Sequence, residues 1–121
     1  MASNNITITN SSGVVVALQS TLNNIDVAID NLKQGGHEDL GDALSKMAEA
    51  IAKSSLAESE KKDLLDQLEL VTEETKKPQA ARKSAIVKGA VSYLEIGTKA
   101  VGALAAAWTV CGPLIRKYFG F

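Results

Sequence analysis

Few residues of this 121-residue sequence are of types that catalyse reactions or bind metals, and their spacing does not group them. His37 is the only histidine, and the carboxylates of Glu38 and Asp39 follow it at a predicted helix start. One imidazole beside two carboxylates is a weak metal-site pattern, because zinc sites combine three or four protein ligands. We therefore interpret His37 as an exposed residue of a helix-capping region.

The remaining candidates for chemistry are equally isolated. Cys111 is the only cysteine and has no neighbouring base in the sequence, so we expect it to be buried as a small apolar side chain. The pair Gly35-Gly36 lacks the Lys-Ser/Thr that follows the glycines of a phosphate-binding loop. We predict that the protein is not an enzyme and that it has no catalytic, cofactor-binding or metal-binding residues. The net charge of -1 also favours no nucleic-acid partner.

The first residues have the pattern of a β-strand. Ile6 and Ile8 alternate with threonines over residues 5–9, and the turn-forming run Asn10 to Gly13 follows. One interpretation is a hairpin of 5–9 with 14–18. The other is a strand followed by a helix over 14–33, because apolar residues recur there at intervals of three and four, as in a coiled-coil seam. The seam residues are Val15, Leu18, Leu22, Ile25, Ile29 and Leu32.

The rest of the chain has helical periodicity. We predict helices over 37–53, 58–75 and 79–111, a kink at Gly112-Pro113 and a short terminal turn over 113–119, all in a single domain of residues 1–121. The apolar positions expected to face inward in the first two are Leu40, Leu44, Met47 and Ile51, then Leu64, Leu65, Leu68 and Val71. Those of the long helix are Val87, Val91, Leu94, Thr98, Val101, Ala105 and Trp108. The predicted fold class is mainly α, with a short N-terminal β-strand or hairpin, helical hairpins and a long C-terminal helix.

The aromatic content of 4% indicates a core built from small side chains, which favours further burial against another chain. We therefore predict a non-enzymatic self-associating or adaptor module, as a homo-oligomer or with a protein partner. An unpaired strand edge is a template for pairing with another chain. The residues assigned to oligomerisation are Ile6, Ile8, Leu18, Leu22, Ile25 and Ile29, and those assigned to packing and docking of the C-terminal end are Trp108, Tyr118, Phe119 and Phe121.

The alternative is a membrane-acting effector whose C-terminal helix, about residues 86–115, inserts into or lies on a bilayer. Residues 100–115 carry no charge, although this run is shorter than the roughly 20 apolar residues of a bilayer span. A basic run without a carboxylate is the candidate contact for anionic lipid. Its members are Lys76, Lys77, Arg82, Lys83 and Lys88. A single cysteine and no secretory signal pattern in the first residues favour a cytoplasmic location, with membrane association under the alternative.

Four stretches carry a resemblance to a helical module of small bacterial proteins and of the tails of larger ones. They are ITITNSSG, DALSKMAEAIAKSSLAESEKKDLLDQLELVTEE, KPQAARKSAIVK and AAWTVCGPLIRKYFGF. The resemblance implies a helical fold and a bacterial or phage source. It also implies a setting among interaction or signalling modules of stress and antiviral systems.

The predicted strand edge leads to a direct test. Replacing Ile8 by lysine places a charge on the edge, so we expect the Ile8→Lys variant to have a lower oligomeric state and an unchanged helical circular dichroism signal. Light scattering gives the mass of both proteins in solution. An unchanged mass would rule out pairing through this edge.

Overall fold

The helices of the computed structural model follow one another with short connections. The side chains of residues 18–121 are described, and the predicted strand at 5–9, with its alternative pairing to 14–18, involves residues outside this range. The helices are α1 (Ala2–Gln34), α2 (Glu38–Lys53), α3 (Glu58–Lys76), α4 (Ser84–Thr98) and α5 (Gly102–Phe119), with a 3-10 turn at Gln79–Ala81. The described part of the chain contains no strand, and the predicted mainly helical fold is confirmed.

Two helices end at glycines that take the left-handed conformation. Gly36, with φ 88°, follows α1, and the amide of His37 donates to the carbonyl of Leu32 at 2.8 Å. Gly120, with φ 84°, follows α5, and the amide of Phe121 donates to the carbonyl of Arg116 at 2.9 Å. Both patterns satisfy carbonyls that a helix end otherwise leaves without donors. They also direct the chain sharply away from the helix axis.

The five helices form a ring around one hydrophobic core. The ring runs from α1 to α3, α4, α5 and α2, which packs again on α1, and α2 also touches α3. Helices α1 and α3 are parallel, because Thr21 lies beside Asp66 and Asn24 donates to Glu69 at 2.9 Å. The apolar stripes predicted for α2 and α3 are buried in this core. One end of the ring therefore gathers the end of α1, the start of α2, the end of α3, the start of α4 and the end of α5.

The predicted single helix over 79–111 is wrong. The chain forms a 3-10 turn and two antiparallel helices instead, with a break between Thr98 and Gly102, where Val101 has the extended angles φ -117° and ψ 112°. A straight helix of that length would extend about 50 Å and carry its second half beyond the bundle. Folding back places both Leu94 and Leu104 in the common core without exposed surface. Burial of apolar side chains therefore outweighs the continuity of one helix.

The predicted separate turn over 113–119 is also wrong, because α5 continues through Pro113 to Phe119, while the kink at Gly112-Pro113 stays a prediction. Proline removes the hydrogen bond that the carbonyl of Thr109 would accept. Thr109 and Pro113 are both exposed, so this carbonyl lies on the side of α5 where water is available. Gly112 faces inward, where an added Cβ would lie 3.0 Å from Cε2 of Trp108.

Two helical glycines differ in the space around them. A Cβ at Gly89 would meet no heavy atom within 4 Å, whereas one at Gly112 would press on the Trp108 ring. We expect Gly89→Ala to raise the free energy of unfolding by about 0.5–1 kcal/mol, because alanine loses less backbone entropy in a helix. Gly112→Ala should lack this gain or be destabilising. Denaturant titration of both variants checks the difference, and equal stabilisation would contradict it.

Candidate interaction surface

Charge is divided unequally between the first three helices and the last two. Thirteen of the 14 acidic residues precede position 82, and Glu95 is the only one after it. Six of the 13 basic residues lie in the same last segment, 82–121. This segment, which contains the α4–α5 hairpin, therefore has an excess of basic residues, two of which (Arg82 and Lys83) precede α4, although the whole chain has a formal net charge of only -1. Most acidic residues lie in α2 and α3, the two helices that flank this hairpin in the ring.

The exposed side of this hairpin is nevertheless uncharged along most of its length. We call it the α4–α5 outer face and define it by Ala85, Gly89, Ser92, Tyr93 and Ile96 of α4 with Gly102, Ala103, Ala106, Thr109, Val110 and Pro113 of α5. Its large side chains are 72% exposed at Ile96, 58% at Val110 and 44% at Tyr93. The exposed side of α2 is different, since it consists mainly of Glu, Asp and Lys side chains. A contiguous apolar patch on the surface of a protein often marks a site of contact with another molecule.

Charged residues border the outer face. Lys88, Glu95 and Lys99 follow a separate row along α4, and Glu95 pairs with Arg116 of α5 at 3.4 Å. This row therefore faces the groove between the two helices. Lys117 ends the uncharged row of α5, one turn after Pro113. The face thus has basic side chains at its margins and a single acidic one, which is already paired.

The connection between α3 and α4 is held by a buried carboxylate. Glu74 is only 3% exposed, accepts a hydrogen bond from the backbone amide of Lys83 at 2.6 Å and pairs with Nζ of Lys77 at 2.5 Å. The hydrogen bond from Lys77, with that from the Lys83 amide, lowers the pKa of Glu74 below its ordinary value although desolvation opposes the shift. The carboxylate therefore joins the end of α3 to the start of α4.

Arg82 connects the same segment to α5. Its Nε donates to the carbonyl of Lys77 at 3.0 Å, and its Nη2 donates to the carbonyl of Thr75 at 3.2 Å and to the Tyr118 hydroxyl at 2.8 Å. The Tyr118 ring also packs edge-on against His37, with 4.9 Å between ring centroids. All three acceptors are uncharged, so these bonds orient the guanidinium and leave its positive charge without a neutralising carboxylate. Three separate segments meet at Tyr118.

A cleft opens beside this contact, with a volume of about 750 Å³. We call it the end cleft. Its walls come from the α1–α2 turn with the first turn of α2, from the 3-10 segment and from the end of α5. The lining residues are Gly36, His37, Glu38, Asp39, Leu40, Gln79, Arg82, Leu114, Lys117 and Tyr118. Acidic groups from α2 and basic groups from the other two walls thus share one concave site.

The structure places the predicted docking residues at the C-terminal end against the same chain. Trp108 is 7% exposed in the core, and Tyr118 and Phe119 are half-buried. The centroids of the Phe121 and Phe119 rings are 6.4 Å apart, and Nζ of Lys88 lies over the Phe121 ring, 5.4 Å from its centroid. The aromatic tail therefore covers the start of α4.

The described part of the predicted α1 seam is also internal. Leu18, Ile25 and Ile29 are buried in the common core and Leu22 packs against it, so these side chains have little surface left for another chain. Ile6 and Ile8 lie outside the described residues.

The predicted lipid-contact run is not one free basic patch. Lys76 pairs with Glu73 and Lys77 with Glu74, at 3.4 Å and 2.5 Å. Arg82 is held by the contacts described above, and Lys88 lies over Phe121. Of the five residues in this run, all within the described range, only Lys83 has an exposed side chain without such a contact. The basic groups that border the outer face are Lys88 of this run and two lysines outside it, Lys99 and Lys117.

The candidates for chemistry lie apart. His37 is exposed, whereas burial raises the pKa of the Cys111 thiol to about 12, which keeps it protonated and unreactive. The residues from 18 to 121 contain no group of three or more His, Cys, Asp or Glu side chains placed to hold a metal ion. Within the same range, none of the helices combines the length and apolarity that a bilayer crossing requires. Comparison of the chain with protein-family models, curated proteins and solved structures gave no match.

The buried carboxylate at the α3–α4 connection has an exposed neighbour that serves as its control. We expect Glu74→Gln to lower the free energy of unfolding at pH 7 by about 1.5–3 kcal/mol, because charge-assisted hydrogen bonds are lost in a buried place. Glu73→Gln removes only the ion pair with Lys76 at the surface, and it should change the free energy of unfolding by less than about 1 kcal/mol.

The pH dependence of this difference follows from the lowered pKa of Glu74. Its contribution is complete above the ordinary carboxyl pKa of 4.5 and is lost as the pH falls through the folded-state value. Denaturant titrations between pH 7 and the acid range should therefore show wild type and Glu74→Gln converging. If the difference in free energy of unfolding between the two proteins stayed constant over this pH range, the ionised Glu74 carboxylate would not be its source.

Proposed function

We propose that the chain is a non-enzymatic interaction module that docks on an anionic membrane surface through the α4–α5 outer face. The observation that supports this proposal is the coincidence of an uncharged, apolar outer face with the basic half of the chain. A surface that is apolar in the middle and basic at its margins matches the chemistry of a lipid interface, where acyl chains lie beneath anionic headgroups.

The side chains of the outer face suit shallow burial. Ile96 and Val110 are the most exposed large apolar residues of the two helices, and fully burying such a side chain is worth about 1.5–3 kcal/mol. Tyr93 lies on the same face, and an amphipathic ring with a hydroxyl is favourable at a membrane interface. Only these three large side chains contribute on this face, so the apolar contact alone supports weak and reversible binding.

Electrostatic attraction adds to the apolar contact. Lys88, Lys99 and Lys117 border the outer face, and a basic side chain near an anionic surface contributes about 1 kcal/mol. The binding is therefore expected to weaken as salt is added.

The same features argue for docking in the membrane plane rather than for insertion of one long helix. The segment 86–115, which the alternative interpretation treats as one helix, is divided by the break before Gly102. Its two helices have different buried rows, and Leu94, Leu104 and Trp108 are held in the core. Lying on the interface uses the exposed residues and leaves this core intact.

Self-association is the competing use of the outer face. Two copies joined through it would bring their basic hairpins together, which is unfavourable by like-charge repulsion. Oligomerisation through Ile6 and Ile8 concerns the N-terminal segment and stays a separate prediction. A protein partner would require acidic margins of its own. Charge therefore favours the anionic lipid surface.

Vesicle co-sedimentation tests the proposed docking. Wild type should bind vesicles of neutral lipid with about 30% phosphatidylglycerol more tightly than neutral vesicles, and less tightly at 0.5 M salt than at 0.1 M. The double variant Ile96→Glu, Val110→Glu should bind about tenfold or more weakly, because it adds two like charges to the contact.

A matched control has the same charge change elsewhere. Val27 and Leu70 are exposed apolar residues of α1 and α3. The variant Val27→Glu, Leu70→Glu has the same net charge as Ile96→Glu, Val110→Glu. It should bind vesicles like wild type when both are compared at high salt, where the effect of net charge is screened. Equal loss of binding by both variants would contradict a specific outer face. Wild type that remains in the supernatant, or a dimer in light scattering that only the Ile96→Glu, Val110→Glu variant abolishes, would overturn the lipid proposal.

A further inference from the structure

The end cleft is lined by both acidic and basic side chains, and this combination indicates the class of ligand. We infer that it binds a small zwitterion with a phosphate group and a primary amine, the chemistry of phosphoethanolamine either free in solution or as a lipid headgroup. The site differs from the α4–α5 outer face and shares only Lys117 with its margin. The inference therefore does not rest on the proposed membrane docking.

The basic wall is prepared for a phosphate. Arg82 is oriented by its bonds to two backbone carbonyls and to the Tyr118 hydroxyl, and Nη1 takes part in none of the three. A guanidinium already fixed in place loses little conformational freedom when it binds an oxyanion. Lys117, four residues after Pro113, adds a second positive charge to the lining from the end of α5. Neither cation is in an ion pair within the described part of the chain.

The part of the lining that comes from α2 is acidic. Glu38 and Asp39 form the first turn of α2 and line the cleft together with His37. In residues 18–121 these two carboxylates also take part in no ion pair. They supply acceptors for an ammonium group, which has three donors and no acceptor. The cleft thus presents unneutralised charges of both signs.

This pairing of charges selects against simpler ligands. A plain anion attracted by Arg82 would meet the carboxylates of α2, and a plain cation attracted by those carboxylates would meet Arg82 and Lys117. A zwitterion satisfies both walls at once. The volume of about 750 Å³ lies within the usual range of small-molecule sites. The ring of Tyr118 and the side chains of Leu40 and Leu114 supply apolar surface between the charged groups.

Calorimetry with the full chain tests the inference against three probes. Phosphoethanolamine should bind about tenfold or more tightly than inorganic phosphate or ethylamine, each of which has only one of the two charges. Equal affinity for phosphate would mean a simple anion site, and equal affinity for ethylamine a simple cation site. Either result would overturn the zwitterion assignment.

Variants at the two walls locate the site. Lys117→Gln and Asp39→Asn should each weaken binding about fivefold or more, while the exposed pair Lys46→Gln and Glu60→Gln should leave it unchanged. Arg82 is unsuitable as the first target because it also holds the α3–α4 connection to Tyr118. Loss of binding in the control variants, or none in the wall variants, would contradict the end cleft as the site.

Vesicles distinguish the two sources of the ligand. If the ligand is a lipid headgroup, neutral vesicles with phosphatidylethanolamine should bind wild type more tightly than vesicles of phosphatidylcholine alone, and Asp39→Asn should remove the difference. This preference should persist in the Ile96→Glu, Val110→Glu variant if the end cleft acts independently of the outer face. Binding of soluble phosphoethanolamine without a vesicle preference would assign the site to the free ligand. Binding of neither form would overturn the inference.

Discussion

The buried carboxylate of Glu74 is the interaction on which the arrangement of the last two helices depends. It lies at the end of α3 and accepts a hydrogen bond from the first backbone amide before α4. A buried charge is costly unless it is paired and hydrogen-bonded, so the carboxylate constrains the chain that surrounds it. Lys77 neutralises it from one side, and the Lys83 amide holds the connection from the other. The direction in which the chain enters α4 follows from this contact.

Arg82 extends the constraint to the C-terminal end. The guanidinium is one residue away from the amide that Glu74 holds, and its contact with Tyr118 attaches α5 at the same end of the ring. The α1–α2 turn joins there through His37, whose position follows from the left-handed glycine before it. One small region thus determines where the ends of all five helices meet. The end cleft is the space that remains between them.

Charge segregation gives the two halves of the ring different surfaces. Helices α2 and α3 expose many charged side chains, often paired one turn apart along the helix, as expected for a solvated surface. The α4–α5 hairpin exposes apolar and small side chains instead, with lysines at the margins. The packing of the core does not require an apolar exposed side on α4 and α5, because the residues that these helices bury are others, among them Leu94, Leu104 and Ile115. The outer face is therefore the part of the molecule whose composition folding does not explain.

The helical stripes of α2 and α3 were readable from the amino-acid sequence, while the break in the C-terminal helix and both candidate sites were not. Periodic leucines place α2 and α3 within two residues of their observed bounds, because an amphipathic stripe and a left-handed glycine act locally. The break before Gly102 has no proline, and it moves the buried row from Leu94 and Thr98 to Leu104, Trp108 and Cys111. Only packing against α2 and α3 decides that change of row. The end cleft likewise joins residues as far apart as Glu38, Arg82 and Lys117, whose proximity depends on the closed ring of helices rather than on any spacing along the chain.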